Sequence, residues 1–432
     1  MKILGPINRG GFGRVEKVET TPGCILARKV FDPQPSVLGA DPVVARAKFV
    51  KRFVREVRVQ SSLGGDFVLP VHGFDLISTP PWFTMPLADR SLQDEISRSR
   101  DDAKQALPDV LNALEEMHKL GLVHRDLKPA NVLFHEGKWK LSDFGLVLPA
   151  PGTTTTLTST SSAWGTSEYA APEQVNDFGN VTLAADIYAF GCILHDIFNG
   201  SPRIPFQRQT CPGSIGPIIE KCTELDPRRR FKSVGALRSV LLTALSAAPI
   251  PSTATGAAWL ARIADIATWT ADDLEQFARF ITSDKNISER DSLCRALDEE
   301  TLKAMQCIDA IAWRPVADCY CEWATGSFAW NYCDVIIGRL VAIFEVGEVE
   351  TIASAIMAAA RLACSHNRWF VMRQVLAMAG STLADEVAHR VAIEIVVQDA
   401  HRDFTQSAAA VSEPIDRYHP RIADVLRKNP TT

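Results

Sequence analysis

Two short polar runs, about a dozen residues apart, constrain this chain more than any other feature. Residues 124–131 read His-Arg-Asp-Leu-Lys-Pro-Ala-Asn, and residues 143–145 read Asp-Phe-Gly. They place a carboxylate, an ammonium group, an amide and a second carboxylate in a fixed order and spacing. Carboxylate and amide oxygens suit Mg²⁺, and an ammonium group can neutralise charge that develops on a phosphate. The two runs therefore predict a site for phosphoryl transfer from Mg-ATP.

Composition narrows the class of protein without identifying it. With 432 residues the chain is long enough for two or three domains, and 46% apolar with 22% charged residues is typical of a globular protein. The net charge of -5 gives no reason to expect nucleic acid or an anionic membrane as a partner. Ten widely spaced cysteines indicate reduced thiols in a cytoplasmic protein. The first residues do not read as a signal peptide, and no apolar stretch has the length of a membrane span.

The two polar runs closely resemble the catalytic loop and the magnesium loop of the Ser/Thr protein kinase family. The resemblance covers residues 1–245, with the motifs in the family's order. It implies an α+β, bilobal protein-kinase fold, with a small β-rich N-lobe at about 1–87 and a large helical C-lobe at about 88–245. It also implies ATP and Mg²⁺ as cofactors and protein Ser or Thr hydroxyls as substrates.

Four N-terminal segments match the family's nucleotide-binding motifs. Residues 7–15 resemble the Gly-rich loop, and residues 24–31 read as a strand that presents Lys29 to the phosphates. Residues 49–59 read as a helix that carries Glu56, the partner of Lys29, and residues 82–88 resemble a strand entering the hinge between the lobes. The resemblance implies a nucleotide site formed by Ile7, Gly10, Gly11, Phe12, Gly13, Val15, Ala27, Lys29, Met85, Pro86, Ala88 and Leu133.

In the C-lobe the resemblance assigns a role to each polar group. Asp126 would accept the proton of the substrate hydroxyl, and Lys128 would neutralise charge on the transferred phosphate. Asn131 and Asp143 would hold two magnesium ions. Thr166 would help to position the substrate. With Lys29 and Glu56, these residues form the predicted catalytic machinery.

Other matched positions are structural. Glu173 would pair with Arg230, and Asp186 would anchor the catalytic loop from below.

For Glu56 the alternative interpretation is a solvated residue on a charged helix, without a role in the site. Gln60, one turn further on, stands where the family usually has an apolar residue, so we expect the resting helix to be loosely held.

A segment dense in hydroxyl groups lies between the magnesium loop and Gly165. Arg125, directly before Asp126, is the family's mark of activation by phosphorylation of this segment. A phosphate would add roughly two negative charges and could order the segment against Arg125 and either Arg52 or Arg55. A flexible polar loop without that role is the alternative. The hypothesis is autophosphorylation within residues 153–162, with these candidate sites: Thr153, Thr154, Thr155, Thr156, Thr158, Ser159 and Thr160.

Beyond residue 245 the chain resembles no family that we identify. Residues 246–257 are small, Pro-containing and uncharged, which predicts a linker. Residues 258–411 show helical patterns and contain six of the nine tryptophans, which predicts an all-α domain of unknown role, followed by a loosely ordered tail at 412–432. A protein partner for this domain rests on family analogy alone. Four residues allow two interpretations, namely Cys319, Cys321, Cys333 and His366. They could bind zinc, or they could be small side chains buried in the core, and their spacing favours the second interpretation.

The sequence thus predicts a Ser/Thr protein kinase followed by a separate all-helical domain that regulates it or binds a partner. The alternative is an ATP-binding pseudokinase scaffold whose helical domain carries the function. Both would bind ATP, but only an enzyme would lose its role when Asp126 is replaced by Asn. Transfer to a small molecule is disfavoured, because a complete activation segment with Thr166 serves peptide substrates.

Overall fold

The computed structural model describes residues 1–63, 66–145, 148–149, 168–176, 181–199, 201–246, 251–329 and 332–428. By its internal contacts the chain divides into two compact units, Met1–Val240 and Leu241–Thr432. None of the helices within the described ranges is long and apolar enough to cross a membrane.

The first unit begins with an antiparallel sheet of five strands. Its strands are β1 Lys2–Arg9, β2 Gly13–Thr21, β3 Cys24–Phe31, β4 Gly73–Asp75 and β5 Trp82–Pro86. They lie in the order β1-β2-β3-β5-β4, so β3 is the central strand. β3 has the bounds that the sequence predicts for the strand carrying Lys29.

Two helices follow β3, namely α1 Pro35–Leu38 and α2 Pro42–Ser62. Phe49, Phe53 and Val57 are buried on one face of α2, as their helical spacing predicts. The Phe53 ring lies 5.8 Å from the ring of Phe31 and 5.5 Å from that of Phe83. Because both partners are on the sheet, this apolar face holds α2 against β3 and β5.

The rest of the first unit is mostly helical. Its helices are α3 Leu92–Arg98, α4 Arg100–Ala103, α5 Ala106–Lys119, α6 Pro172–Asn176, α7 Ala184–Phe198, α8 Gly216–Cys222 and α9 Val234–Leu245, the last of which extends beyond Val240. Two small sheets are formed by β6 Arg90–Ser91, β7 Leu122–Val123, β8 Val132–His135, β9 Lys138–Leu141 and β10 Leu148–Pro149. The predicted α+β fold, with a β-rich small lobe before a helical large lobe, is confirmed.

In the second unit, the described residues form eleven α-helices. They are α10 Ala254–Ile263, α11 Ala271–Thr282, α12 Ile287–Ala296, α13 Glu299–Ile308, α14 Ala310–Trp323, α15 Cys333–Val346, α16 Val349–His366, α17 Trp369–Met378, α18 Asp385–Val397, α19 His401–Ala410 and α20 Pro420–Lys428. They share a continuous apolar core that runs from Trp259 to Leu426. The prediction of an all-α C-terminal region is confirmed.

Two segments differ from their sequence prediction. α10 begins inside the predicted linker, because the Thr253 side chain accepts a hydrogen bond from Gly256 N at 3.0 Å and so caps the helix. The prediction of a loosely ordered tail at 412–432 is wrong for α20. Ile422 and Leu426 are buried on one face of α20, and their helical spacing was the signal that the sequence offered.

A buried ion pair fixes the base of the first unit, as the sequence predicts. Arg230 donates to both carboxylate oxygens of Glu173 on α6, at 2.6 and 2.8 Å. The same guanidinium donates to the backbone oxygens of Ala184 and Glu224, both at 2.8 Å. The Arg230 side chain is fully buried. One cation therefore joins three separate segments, through the Glu173 carboxylate and the backbone oxygens of Ala184 and Glu224.

We expect Arg230→Met to lower the free energy of unfolding by about 3 kcal/mol, because the change leaves Glu173 and two carbonyl groups without their donor. Urea unfolding of the full chain measures the loss. Arg228→Met is the matched control, since the Arg228 side chain is 89% exposed and pairs with Asp226 at the surface. Equal midpoints for the two variants would contradict the prediction.

Candidate active site

A buried ion pair joins the central strand to helix α2. Lys29 Nζ on β3 lies 2.6 Å from Glu56 Oε1 on α2 and 3.2 Å from Asp143 Oδ1. The Glu56 side chain is only 5% exposed, so it is not the solvated residue of the alternative interpretation. The structure thus brings together three predicted site residues from three separate segments.

The charges in this cluster determine one another's ionisation. Burial by itself would lower the pKa of Lys29, but the negative charges of Asp143 and Glu56 outweigh it and raise that pKa. Burial would raise the pKa of Asp143, but the positive charges of Lys29, Lys128 and Arg52 lower it below its ordinary value of 3.8. For Glu56 burial prevails over the attraction of Lys29, and the pKa is raised. Lys29 and Asp143 are therefore charged at neutral pH, as groups that hold phosphates and Mg²⁺ must be.

The catalytic loop folds back so that its polar side chains meet. Lys128 Nζ lies 3.0 Å from Asp126 Oδ2. A 3₁₀ turn, Pro129–Asn131, then returns the chain, and Asn131 Nδ2 donates to Asp126 O at 2.8 Å and to Asp126 Oδ2 at 3.2 Å. Because the amide nitrogen of Asn131 faces Asp126, its oxygen is the atom that can ligate a cation.

The magnesium loop is fixed by its contacts with the catalytic loop. Ser142 follows β9, and its backbone oxygen lies 3.2 Å from His124 Nε2. The ring of Phe144 lies 5.2 Å from the ring of His124. Between them Asp143 has a φ of 61°, in the left-handed region that few side chains adopt. These contacts hold Asp143 in that conformation, with its carboxylate toward Lys29.

Asp186 on α7 supports the catalytic loop from below. Its carboxylate accepts hydrogen bonds from His124 N and Arg125 N, both at 2.9 Å, and lies 2.9 Å from His118 Nε2. Burial by itself would raise the pKa of Asp186, but His118, His124 and the hydrogen bond from Arg125 N together outweigh it, and the pKa lies below its ordinary value of 3.8. An ionised carboxylate therefore fixes the two residues that precede Asp126.

The predicted Gly-rich loop is the turn between β1 and β2. Gly10 N donates to Gly13 O at 2.9 Å and closes the turn. A Cβ on Gly13 would lie 2.6 Å from Val30 O, closer than real Cβ atoms approach, so only glycine is accommodated there. Gly11 belongs to the same turn, whereas the Ile7 side chain on β1 is 46% exposed.

Most of the predicted adenine-site residues share one apolar cluster. Ala27 on β3 lies opposite Met85 on β5, and both are buried. Val15 and Leu133 pack against the same cluster, as does Phe12. Two hinge residues follow, a buried Pro86 and a half-buried Ala88. The geometry provides an apolar wall beside the charged groups, as an adenine nucleotide needs.

Two glutamines hold the site in ways that the sequence did not indicate. Gln60 on α2 is 1% exposed and donates to Leu69 O at 2.7 Å, so the expectation of a loosely held helix is wrong. Gln174 on α6 donates to Arg125 O at 2.9 Å and accepts a hydrogen bond from Ala171 N. Each glutamine bonds to a backbone group of another segment, and residue type alone does not reveal that partner.

Several predicted residues do not lie in the described part of the structure. The phosphorylation candidates from Thr153 to Thr160 and the substrate-positioning Thr166 all lie outside it. Arg125, the predicted phosphate partner, is described. It is 3% exposed and donates to Val181 O at 3.2 Å.

The cysteines considered as zinc ligands are dispersed in the second unit. Cys319 Sγ donates to Ile281 O at 3.6 Å, and His366 Nε2 accepts a hydrogen bond from Phe328 N at 3.0 Å. Within the described ranges, no group of three or more His, Cys, Asp and Glu side chains could hold a metal ion. Cys319, Cys321 and Cys333 are buried.

Comparison with known proteins agrees with this geometry. The family model described as protein kinase domain matches residues 1–238, more than half of the chain. The chain is 30% identical over 282 residues to the serine/threonine-protein kinase AfsK of Streptomyces griseus. The aligned region covers 60% of this chain and 33% of that protein.

Two other relatives have similar identity. The probable serine/threonine-protein kinase PknB of Bifidobacterium longum is 29% identical over 45% of this chain and 29% of its own length. The serine/threonine-protein kinase PknD of Mycobacterium tuberculosis is 30% identical over 55% of this chain and 38% of its own. The chain thus matches only about a third of the length of these curated relatives.

We expect Asp186→Asn to destabilise the protein by about 2 kcal/mol at neutral pH, because the amide is a poorer acceptor for two buried backbone N–H groups. The pKa of Asp186 is lower in the folded protein than its ordinary value of 3.8. Its contribution to the free energy of unfolding is therefore complete above pH 3.8 and is lost as the pH falls through the folded-state pKa. The difference in the free energy of unfolding between wild type and variant should therefore become smaller in acid. Urea unfolding at a series of pH values measures it.

The control for this measurement is Asp101→Asn. The Asp101 side chain is 87% exposed and pairs with Lys104 at the surface, so the unfolding midpoint should hardly change. If the difference in unfolding free energy between wild type and Asp186→Asn stayed constant below pH 3.8, the ionised carboxylate would not be the group that holds the loop.

Proposed function

The chain belongs to the protein kinase family, and from that premise we propose that it is a Ser/Thr protein kinase. It transfers the γ-phosphate of Mg-ATP to Ser or Thr hydroxyls of proteins. The observation that carries the proposal is the cluster in which Lys29, Glu56 and Asp143 meet, beside the linked Asp126, Lys128 and Asn131. Lysine at position 128 is the residue that the family uses for Ser/Thr substrates.

The residues of the site fit a magnesium nucleotide. Protein kinases generally use ATP with Mg²⁺, which bridges phosphate oxygens and neutralises their charge. Asn131 and Asp143 would hold the metal, because they offer an amide oxygen and an ionised carboxylate, and the Asp143 side chain is 39% exposed to the site. Lys29, held by Glu56, would bind the phosphates, and the apolar cluster with Ala27 and Met85 would receive the adenine.

The remaining residues would carry out the transfer step. Asp126 accepts the proton of the substrate hydroxyl, whose oxygen forms the new bond to phosphorus as ADP leaves. Lys128, 3.0 Å from Asp126, neutralises negative charge on the transferred group. Asp186 keeps this loop in place through the backbone of His124 and Arg125.

We expect Asp126→Asn to lower the rate of phosphoryl transfer at least about 100-fold while ATP still binds, since the variant loses the base but keeps the pocket. Purified full-length protein is incubated with γ-labelled ATP, Mg²⁺ and a generic basic protein, and label on the chain and on the added protein is counted. Asp101→Asn serves as the control and should retain its activity.

The same assay distinguishes a kinase from the second candidate function, an ATP-binding pseudokinase scaffold. The described helices of the second unit form a large core of their own, which supports a separate domain that could act independently of phosphoryl transfer. No label from wild type with ATP binding intact would point to a pseudokinase scaffold, or to a helical domain that inhibits the kinase. The same assay on residues 1–250 would then distinguish these two outcomes.

We also propose the limits of the domains and a protein partner for the helical domain. A kinase domain at 1–245 would be followed by a linker at 246–257 and a helical domain from 258, which recruits or senses a protein partner. α10 begins at Ala254, inside the proposed linker, which supports a linker shorter than 246–257. Protein substrates follow from the family, and a cytoplasmic location stays a prediction.

We expect the active protein to phosphorylate itself between residues 153 and 162, because this hydroxyl-rich segment follows the magnesium loop in the chain. Phosphopeptide mapping of wild type after incubation with Mg-ATP should find phosphate there, and Asp126→Asn treated in the same way should have none. An active wild-type protein with no phosphate in this segment would contradict the hypothesis.

A further inference from the structure

The tip of the Gly-rich loop is packed against helix α2 through two contacts. The ring of Phe12 lies 4.9 Å from the ring of Phe49, with an angle of 67° between the two planes. The guanidinium carbon of Arg52, also on α2, lies 4.4 Å from the centre of the Phe12 ring. This distance is within the range in which a cation is attracted to the face of an aromatic ring.

Arg52 also contacts the magnesium loop. A Cβ placed on Gly145 would lie 3.3 Å from Arg52 Nε and 3.5 Å from Nη2, so the guanidinium lies directly against this glycine. The acidic groups around Arg52 are Asp143, Glu56 and Asp126. Arg52 precedes Glu56 by four residues, which places both on the same face of α2. One cation therefore touches the Gly-rich loop and the magnesium loop from the helix that lies between them.

The backbone of the Gly-rich loop is held by different contacts from those of the Phe12 side chain. Gln34 N donates to Gly11 O at 2.8 Å, and Asp32 N donates to Phe12 O at 3.2 Å. Gln34 Nε2 donates to Gly10 O at 3.2 Å. These bonds fix the backbone of the turn to the segment after β3, whereas Arg52 and Phe49 fix the Phe12 side chain.

We propose that Arg52 is a positioning residue that holds the Gly-rich loop closed through Phe12 and so slows the release of bound nucleotide. The inference rests on the proposed function, because it takes the Gly-rich loop as the cover of the phosphates. A guanidinium suits this position, since its central carbon lies over the Phe12 ring while Nε and Nη2 reach Gly145. A lysine ammonium could not make both contacts in the same way.

The role also bears on the predicted phosphate partner. Arg52 and Arg55 are the alternatives for binding a phosphate on the activation segment. Arg52 already contacts Phe12 and Gly145, so a phosphate on that segment would compete with these contacts for its guanidinium.

The test is the dissociation rate of a fluorescent ADP from the full-length protein with Mg²⁺, measured by stopped flow. We expect Arg52→Met to release the nucleotide about three- to tenfold faster than wild type, the range given by a partly buried cation–aromatic contact. Arg52→Lys should lie between the two. Arg58→Met is the matched control, because Arg58 is an exposed arginine on the same helix, and its rate should equal that of wild type.

A double-mutant cycle separates this role from a general effect on stability. Phe12→Leu should also speed release, and adding Arg52→Met to it should change the rate little further, because the shared contact is already gone. Additive effects, or an unchanged rate for Arg52→Met in a protein that binds nucleotide, would overturn this inference alone. Failure of wild type to bind nucleotide would overturn the proposed function and this inference together.

Discussion

The ion pair between Lys29 and Glu56 is the interaction on which the rest of the first unit depends. Both groups lie in a poorly solvated place, where a charge without a partner is costly. The strand and helix α2 must therefore keep a register that brings the two atoms within 2.6 Å. The apolar face of α2 supplies that register by packing Phe53 between Phe31 and Phe83. Hydrophobic packing thus sets the distance at which the charged site operates.

Buried charges serve as fixed points below the site as well. Asp186 receives two backbone N–H groups of the catalytic loop, and Arg230 joins Glu173 to two backbone carbonyl groups. In both cases one ion fixes backbone from segments distant in sequence. Such groups are stable inside a protein only when every partner is present. The site above them is therefore preorganised, so that Asp126 and Asp143 hold their positions before any ligand arrives.

The second unit is organised differently, by apolar burial alone over most of its core. Its described helices enclose large apolar side chains such as Trp313 and Phe277. A core of this kind specifies shape and leaves function to the surface. The exceptions are local, such as the buried pair of Asp334 and Arg368, at 2.5–2.7 Å. A regulatory or partner-binding role is consistent with such a unit.

The sequence by itself determined the strand with Lys29, the helix with Glu56, the catalytic loop and the all-helical C-terminal region. These depend on local spacing and on the order of motifs, which a chain displays directly. Only the tertiary structure decided that Gln60 bonds to Leu69 and that Arg52 lies on Phe12. Each of these depends on which group a buried or half-buried side chain meets across the fold. Residue type limits the bonds that a side chain can make, but packing chooses its partner.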